Sequence, residues 1–359
     1  MTFDISLIPD GGISWLDASG PEGNIVLSTR VRLARNIAGQ RFTVRSTPED
    51  NRAVLEQVER ASRASHQLHD APLIRVDLLN AAERQLLHER HLISRELAGL
   101  ETNGTPRAGA ALLTNGCVGV MVNEEDHVRL QCLKSGFALT EAYADLERLD
   151  TEMGGQLGFA FHEEFGYLTS CPTNAGTGLR ASVLIHLPGL VLTKEIAKVL
   201  QGLSQVGLTF RGLYGEGSEV VGNFFQLSNQ TTLGKSENEL LDHLGDMVRK
   251  VVEYEQQARH VLQRDAPTVT ADKVWRAYGL LKYARSLSFE ETMNLLSGVR
   301  LGVGLNLISD ISVYTSNKLL IFAQPAHLAV SEGREIGDPE LLTARATYTR
   351  QLLEADAAR

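Results

Sequence analysis

Cysteine is scarce in this sequence, and the cysteines that occur are not spaced as metal ligands usually are. Cys117, Cys132 and Cys171 are the only three among 359 residues, and no two of them form a Cys-x-x-Cys pair. The spacing therefore indicates neither a zinc site nor a disulfide framework. The simplest interpretation is a set of reduced thiols in a cytoplasmic protein that holds no metal of its own.

An excess of positive charge is also missing. The net charge is −9 and the isoelectric point is near 5.6. This balance argues against nucleic acid as the main partner, although it leaves room for a local basic site that binds a phosphorylated ligand.

Long apolar runs are missing as well. The most apolar stretch, residues 183–192, is too short to span a bilayer and contains His186 and Pro188. The first residues lack a positive region followed by an apolar core, so we expect neither a signal peptide nor a membrane partner. The hydrophobic share of 43% is typical of a globular protein with a real core.

The order of apolar patterns predicts an α+β fold with two domains. We expect a loosely ordered lead-in over residues 1–23, a larger mixed domain over 24–258, and a smaller, mainly helical domain over 267–359. An Asn115-Gly116 turn joins two predicted strands. Helical spacing covers residues 48–70, 81–94, 139–153 and 236–263, and residues 319–324 are strand-like.

Three consecutive acids follow a predicted buried strand. The run Asn123-Glu124-Glu125-Asp126-His127-Val128-Arg129 comes directly after the apolar residues 118–122. The end of a strand is a common place for binding chemistry. A solvated turn has the same composition, so this run alone does not decide between the two.

Basic and small residues mark three further segments. Arg30 and Arg32 project from one face of an extended segment, where two guanidinium groups suit a polyphosphate or, equally, a solvated edge strand. Residues 171–180 combine small side chains with Gly176, Gly178 and a closing Arg180, which suits close backbone approach to a ligand. Residues 212–219 contain three glycines and two acids, as expected of a lid.

Four of these strings, in this order, resemble motifs of the guanidino (phosphagen) kinases, such as creatine and arginine kinases. They are residues 28–32, 123–129, 171–180 and 211–216. Within that superfamily the chain resembles bacterial protein-arginine kinases, because only 27 residues precede Ser28 and the run Gln324-Pro325-Ala326-His327-Leu328 is similar to their C-terminal domain. The resemblance implies an antiparallel sheet flanked by helices in the catalytic domain.

The resemblance also implies a nucleotide site for ATP with Mg²⁺. Five arginines would surround the phosphates: Arg30, Arg32, Arg129, Arg180 and Arg211. The other residues implied at the nucleotide are Ser28, Thr29, Val31, His91, Ala181, Ser182, Val183, Leu184, Gly212, Leu213, Tyr214, Gly215 and Glu216. Taken alone, a histidine such as His91 is more often a structural residue than a ligand-binding one.

The acceptor side of the implied site has two carboxylates and a thiol. Glu125 and Glu216 would hold the target guanidinium, with Glu125 as the base, and Cys171 would lie beside it. A thiol near several arginines is expected to have a lowered pKa. A packed cysteine remains the alternative for Cys171.

The implied activity is ATP-dependent phosphorylation of exposed arginine side chains in proteins. The same resemblance implies a homodimer through the C-terminal domain, a role for an activator protein, and marking of substrates for Clp-type proteolysis. Two alternatives stay open: a small-molecule guanidino kinase, and an inactive module that binds arginine or phosphoarginine. Where the family carries Arg-Asp-x-x-Arg-Ala, this chain has Leu341-Leu342 before Arg345-Ala346, so we predict weak or absent activation by phosphoarginine.

Overall fold

The computed structural model describes residues 4–100, 104–213 and 220–357. Its centre is an eight-stranded antiparallel sheet in the order β2-β3-β4-β5-β1-β8-β10-β9, and β6 and β7 form a separate hairpin. The strands are β1 Val26–Arg35, β2 Leu73–Arg75, β3 Ala111–Thr114, β4 Val118–Val122, β5 Val128–Ser135, β6 Phe161–His162, β7 Gly166–Tyr167, β8 Leu179–His186, β9 Leu208–Arg211 and β10 Phe224–Asn229.

Helices flank the sheet and make up most of the C-terminal region, which confirms the predicted α+β class. They are α1 Pro48–Arg63, α2 Ala81–Glu89, α3 Leu139–Leu157, α4 Pro188–Leu192, α5 Ile196–Gln205, α6 Glu237–Asp265, α7 Pro267–Tyr283, α8 Phe289–Gly304, α9 Val313–Phe322, α10 Pro325–Glu332 and α11 Asp338–Ala357.

Local sequence signals explain several of these boundaries. Helix α6 begins with a capping box, since the Ser236 side chain accepts from the Glu239 backbone N–H and the Glu239 side chain accepts from the backbone N–H of Ser236. Ser288 caps α8 by a single bond, since its side chain accepts from the backbone N–H of Glu291. The predicted turn at Asn115 lies between β3 and β4.

The two faces of the sheet have different partners. On β1, Val31 and Leu33 point into a core formed with α1, α3 and α6, whereas Arg30 and Arg32 point to the opposite face, because side chains alternate along a strand. Part of that opposite face is covered by a second apolar cluster, in which Leu27 and Phe224 contact the C-terminal helices. The rest of it is open and carries the site.

Two predictions about elements were wrong. The lead-in is not loose: short 3-10 helices bury Trp15 and Leu16 almost completely, because these side chains complete the second apolar cluster. Residues 319–322 form the end of helix α9, and Gln324 is the N-terminal cap of α10. The apolar run 319–321 is buried among packed helices, and a short apolar run in a sequence does not distinguish a buried helix from a buried strand.

The boundaries of two other helices also differ from the prediction. Helix α2 ends at Glu89 rather than near residue 94, because a turn with His91 at φ +60° follows it. Helix α1 ends at Arg63 rather than at residue 70, and turns follow it.

Candidate active site

Five arginines from four strands converge on one cavity of about 530 Å³. The register of the sheet explains the convergence, since Arg32 on β1 lies opposite Arg180 on β8, and Ala34 lies opposite Arg129 on β5. Arg211 ends β9 opposite Gln226. The cavity is lined by all five predicted arginines: Arg30, Arg32, Arg129, Arg180 and Arg211.

The arginine side chains in this cavity repel one another electrostatically. Burial, followed by the charges of Arg180 and Arg129, lowers the pKa of Arg30 to about 10. Burial and the neighbouring arginines also hold the pKa of Arg32 well below its usual value. The Nε atom of Arg32 is buried and has no hydrogen-bond partner among the described residues. A polyanion would relieve the repulsion and supply the missing acceptor.

Arg129 is the exception, because two carboxylates face it. Its Nη1 donates to Glu124 Oε1 at 2.6 Å and its Nη2 to Glu125 Oε2 at 3.0 Å. Burial alone would lower the pKa of Arg129, but these carboxylates raise it overall. The Glu124 side chain is 1% exposed and that of Glu125 is 32% exposed, so Glu125 is the carboxylate that an incoming molecule can reach.

The other members of the acidic motif hold the loops together. Asp126 Oδ1 accepts from Asn36 Nδ2 at 2.7 Å and from the Ser170 backbone N–H at 2.6 Å. His127 Nδ1 accepts from the Ile37 backbone N–H at 3.0 Å, and burial lowers the pKa of its ring. These contacts favour a structural role over metal ligation for both residues.

Residues 171–180 form one wall of the cavity. Cys171, Thr173 and Asn174 line it, and Cys171 Sγ lies 3.0 Å from Thr173 Oγ1. The two glycines have a different role from the predicted one, because a Cβ at Gly176 would lie 2.3 Å from the Thr232 carbonyl oxygen and one at Gly178 2.6 Å from that of Ala34. They permit close packing against the chain's own backbone rather than against a ligand.

Several predicted nucleotide-site residues have side chains elsewhere. Val31, Ala181 and Val183 belong to the core on the other face of the sheet, and Thr29 is buried with its hydroxyl donating to the Gly136 carbonyl at 2.7 Å. The alternation of strand side chains separates them from Arg30 and Arg32.

A small recess adjoins the cavity and shares Arg30 with it. The predicted residues at this recess are His91, Ser28, Ser182, Leu184 and Leu213. Gly212 directly follows β9. Tyr214, Gly215 and Glu216, and with them most of the predicted lid, lie outside the described residues.

The sequence interpretation missed the polar side chains that separate the arginines. Gln131, Gln226 and Ser228 line the cavity. Gln131 could have been found by counting in twos along its strand, since it follows Arg129 by two residues. Gln226 and Ser228 could not, because β10 carries no arginine from which to count. Arg35, grouped with Arg30 and Arg32 in the sequence, instead pairs with Asp150 at 2.8 Å in the interior.

Potential metal ligands also meet away from the cavity. Cys117 Sγ lies 3.7 Å from Cys132 Sγ, and Asp145 is close to both. Spacing could not reveal this group, because the β4–β5 pairing brings the two cysteines together. Asp145 is paired with Lys134 at 2.6 Å, so its carboxylate already has a cationic partner.

Comparison with known proteins identifies what kind of site this is. The model of the ATP:guanido phosphotransferase C-terminal catalytic domain matches residues 53–258, and that of the protein-arginine kinase McsB C-terminal domain matches residues 267–359. The chain belongs to the protein-arginine kinase family. This confirms the resemblance based on the four motifs, and membership implies that ATP is a substrate.

The relatives cover nearly the whole chain. A protein-arginine kinase of Pelotomaculum thermopropionicum is 46% identical over 325 residues, 90% of each chain. That of Brevibacillus brevis is 42% identical over 343 residues, 95% of each. Among solved structures, a lombricine kinase matches with a TM-score of 0.57 and 26% identity over 69% of this chain and 71% of that one.

Arg345 bears on the prediction about phosphoarginine, and the lengths of the helices bear on the prediction about the membrane. Arg345 is buried, with Nε donating to the Ala323 carbonyl at 2.7 Å and Nη1 to the Leu287 carbonyl at 3.0 Å. Its guanidinium is thus engaged by backbone, in keeping with the predicted lack of phosphoarginine activation, which stays a prediction. No helix in the described part of the chain combines the length and the apolar character needed to cross a bilayer.

Proposed function

We propose that this protein transfers the γ-phosphoryl group of ATP to a guanidinium nitrogen of arginine side chains in other proteins. The observation that carries the proposal is the meeting of five arginines and Glu125 at one cavity. The relatives support the choice of acceptor, because they are named protein-arginine kinases and the matches cover 90% and 95% of this chain.

The arginines suit the donor. A phosphoryl transfer develops charge on three equatorial oxygens, and its transition state is stabilised mainly by positioning and by fixed positive charge. Arg30, Arg32 and Arg180 supply that charge from strands of one rigid sheet. Because each guanidinium is planar and offers a fork of N–H groups, it can bind two phosphate oxygens at once.

Mg²⁺ would arrive with the nucleotide. The carboxylates closest to the arginines, Glu124 and Glu125, are both paired with Arg129, so phosphate oxygens and water would be its main ligands. When bound, it neutralises charge on the transferring group.

Glu125 suits the acceptor. Its contact with Arg129 is a carboxylate–guanidinium pair at the edge of the cavity, and a substrate arginine can form the same pair from outside. A carboxylate there aligns the attacking nitrogen and takes its proton while the N–P bond forms and the bond from phosphorus to ADP breaks. Glu216 is proposed as the second carboxylate, and Cys171, which lines the same cavity, as a neighbour of the guanidinium.

A homodimer through the C-terminal domain is part of the proposal. On α7, the side chains of Val269, Leu280 and Tyr283 are 50–71% exposed and fall on one stripe of the helix. A stripe of exposed apolar side chains favours contact with another protein surface. Light scattering on the wild type and on a Val269→Glu/Leu280→Glu variant tests this, and an unchanged mass would count against the α7 interface.

The remaining parts of the proposal come from the family resemblance. They are a cytoplasmic location, stimulation by an activator protein, and delivery of phosphorylated proteins to a Clp-type protease.

The decisive experiment offers both kinds of acceptor. The protein is incubated with ATP and Mg²⁺ and either an unfolded protein with exposed arginines or free arginine, and phosphoarginine is measured by mass spectrometry. We expect label on the protein, and we expect Glu125→Ala to lose transfer while calorimetry still detects ATP binding. Label on free arginine alone would favour a small-molecule guanidino kinase. Label on neither acceptor would favour an inactive binding module.

A further inference from the structure

We propose that Glu89, Arg90 and His327 are positioning residues, through which the C-terminal domain holds His91 at the nucleotide side of the cavity. The inference rests on the proposed function only in assigning the ligand at His91. It concerns a contact that joins the end of α2 to the start of α10.

Glu89 joins the two elements by three hydrogen bonds. Its carboxylate accepts from the backbone N–H groups of Ala326 at 3.1 Å and His327 at 3.3 Å. His327 Nδ1 donates to Glu89 Oε2 at 2.8 Å. The Glu89 side chain is completely buried. A buried carboxylate that satisfies two N–H groups of a first helical turn cannot be removed without leaving them unpaired.

Arg90 completes the contact from the same turn. Its Nε donates to His327 Nε2 at 3.0 Å and its Nη1 to the Gly11 carbonyl at 2.6 Å. His327 therefore donates through Nδ1 and accepts through Nε2, the pattern of a neutral imidazole. Burial lowers the pKa of His327, in agreement with this neutral form. Arg90 also lies over the ring of Phe322, 5.5 Å from its centroid.

His91 has a backbone conformation that needs such support. The N–H of His91 bonds to the His88 carbonyl and that of Leu92 to the Leu87 carbonyl, which is a Schellman ending with His91 at the left-handed position. Glycine normally fills that position, because a side chain there is strained. His91 has φ +60° and its side chain lines the cavity and the adjoining recess.

The strained residue thus follows two residues that are both fixed by the C-terminal domain. On the other side, the His91 carbonyl accepts from Gln131 Nε2 at 3.0 Å, and Gln131 itself lines the cavity. Strain maintained by surrounding contacts is common at functional sites. Loss of the contact with His327 would let the turn relax and withdraw His91 from the nucleotide.

Trp15 provides a direct reporter of this position. Its buried ring meets that of His91 edge-on, with centroids 5.3 Å apart. The chain has two tryptophans, and the other, Trp275, is 50% exposed on α7. In a Trp275→Phe background, tryptophan emission therefore reports on the surroundings of His91 without any need for activity.

The test compares His327→Ala with Val330→Ala in that background. Val330 lies on the same helix and is 59% exposed, so its variant should match the parent. For His327→Ala we expect tryptophan emission shifted to longer wavelength, the affinity for ATP lowered about tenfold and the KM for ATP raised by the same factor. We expect its kcat to stay within about threefold of the parent's value. His327→Asn, whose amide can donate to Glu89, should restore part of the affinity.

The outcomes are separable. If His327→Ala leaves both emission and ATP affinity unchanged, or lowers only the melting temperature, the contact is structural and the inference fails. Should His327→Ala not fold, Glu89→Gln, which keeps the side-chain shape, takes its place with the same expectations. If the parent phosphorylates no arginine, the proposed function fails, while emission and ATP binding still decide the inference.

Discussion

Glu124 and Glu125 are adjacent, have the same chemistry and pair with the same arginine, yet replacing one should impair a different property from replacing the other. Glu124 bonds Arg129 at 2.6 Å with a side chain that is 1% exposed. Glu125 bonds it at 3.0 Å with a side chain that is 32% exposed. We predict that Glu124→Gln impairs folding stability and that Glu125→Gln impairs phosphoryl transfer.

The magnitudes follow from burial. Removing one partner of a buried ion pair leaves an uncompensated charge and costs about 3–5 kcal/mol. Here the cost should be at the upper end, because Arg129 also faces Arg30 and Arg32, whose pKa values its charge already lowers. A partly exposed pair contributes about 0–1 kcal/mol. We therefore expect the melting temperature to fall by roughly 6 °C or more in Glu124→Gln and to change little in Glu125→Gln.

Thermal unfolding with and without ATP, together with a transfer assay, checks both expectations. ATP places negative charge beside Arg129, so it should stabilise Glu124→Gln by more than it stabilises the wild type. Glu125→Gln should keep its melting temperature and its ATP binding and lose transfer by a factor of about 100 or more. Equal destabilisation by the two substitutions would refute the assignment of Glu124 to structure and Glu125 to chemistry.

Three further predictions concern the phosphate site, pH and regulation. Arg180→Lys should fold normally and bind ATP about tenfold more weakly by calorimetry, because an ammonium cannot bind two phosphate oxygens in parallel; unchanged affinity would remove Arg180 from the site. Burial holds the pKa of His186 well below its usual value, so below about pH 6.5 the unfolded chain binds a proton that the folded chain does not. The urea midpoint should therefore fall between pH 7 and pH 5, less so in His186→Asn, and should be insensitive to this group above pH 7. Free phosphoarginine should not stimulate transfer measurably, and strong stimulation in a titration would overturn the interpretation of Leu341 and Leu342.

Sequence reasoning located the arginines because alternation along a strand is simple. Arg30 and Arg32 are two residues apart and therefore share a face, and the resemblance to a known family supplied Arg129, Arg180 and Arg211. What it could not supply was the distinction between Glu124 and Glu125. That distinction depends on burial at the β4–β5 turn, which arises only when the loops around Asn36 and Ser170 pack against it.

The errors have a common physical origin in contacts between distant parts of the chain. Residues 1–23 are short of regular patterns, but Trp15 is buried because the C-terminal helices offer it an apolar surface. Helix α2 ends early because His91 adopts a left-handed conformation, which is uncommon for residues other than glycine. The link from Glu89 to His327 spans 238 residues, a separation at which local pattern carries no information.

The second apolar cluster has a consequence for any attempt to divide the protein. The two matched regions meet between residues 258 and 267, yet Leu27, Leu184 and Phe224 of the sheet are covered by side chains from beyond that point. A fragment that ends at residue 266 would expose the apolar side chains of these strands to solvent, and we expect it to aggregate. The boundary between the two matched regions is therefore not a boundary of the hydrophobic core, and we expect residues 1–266 not to fold stably by themselves.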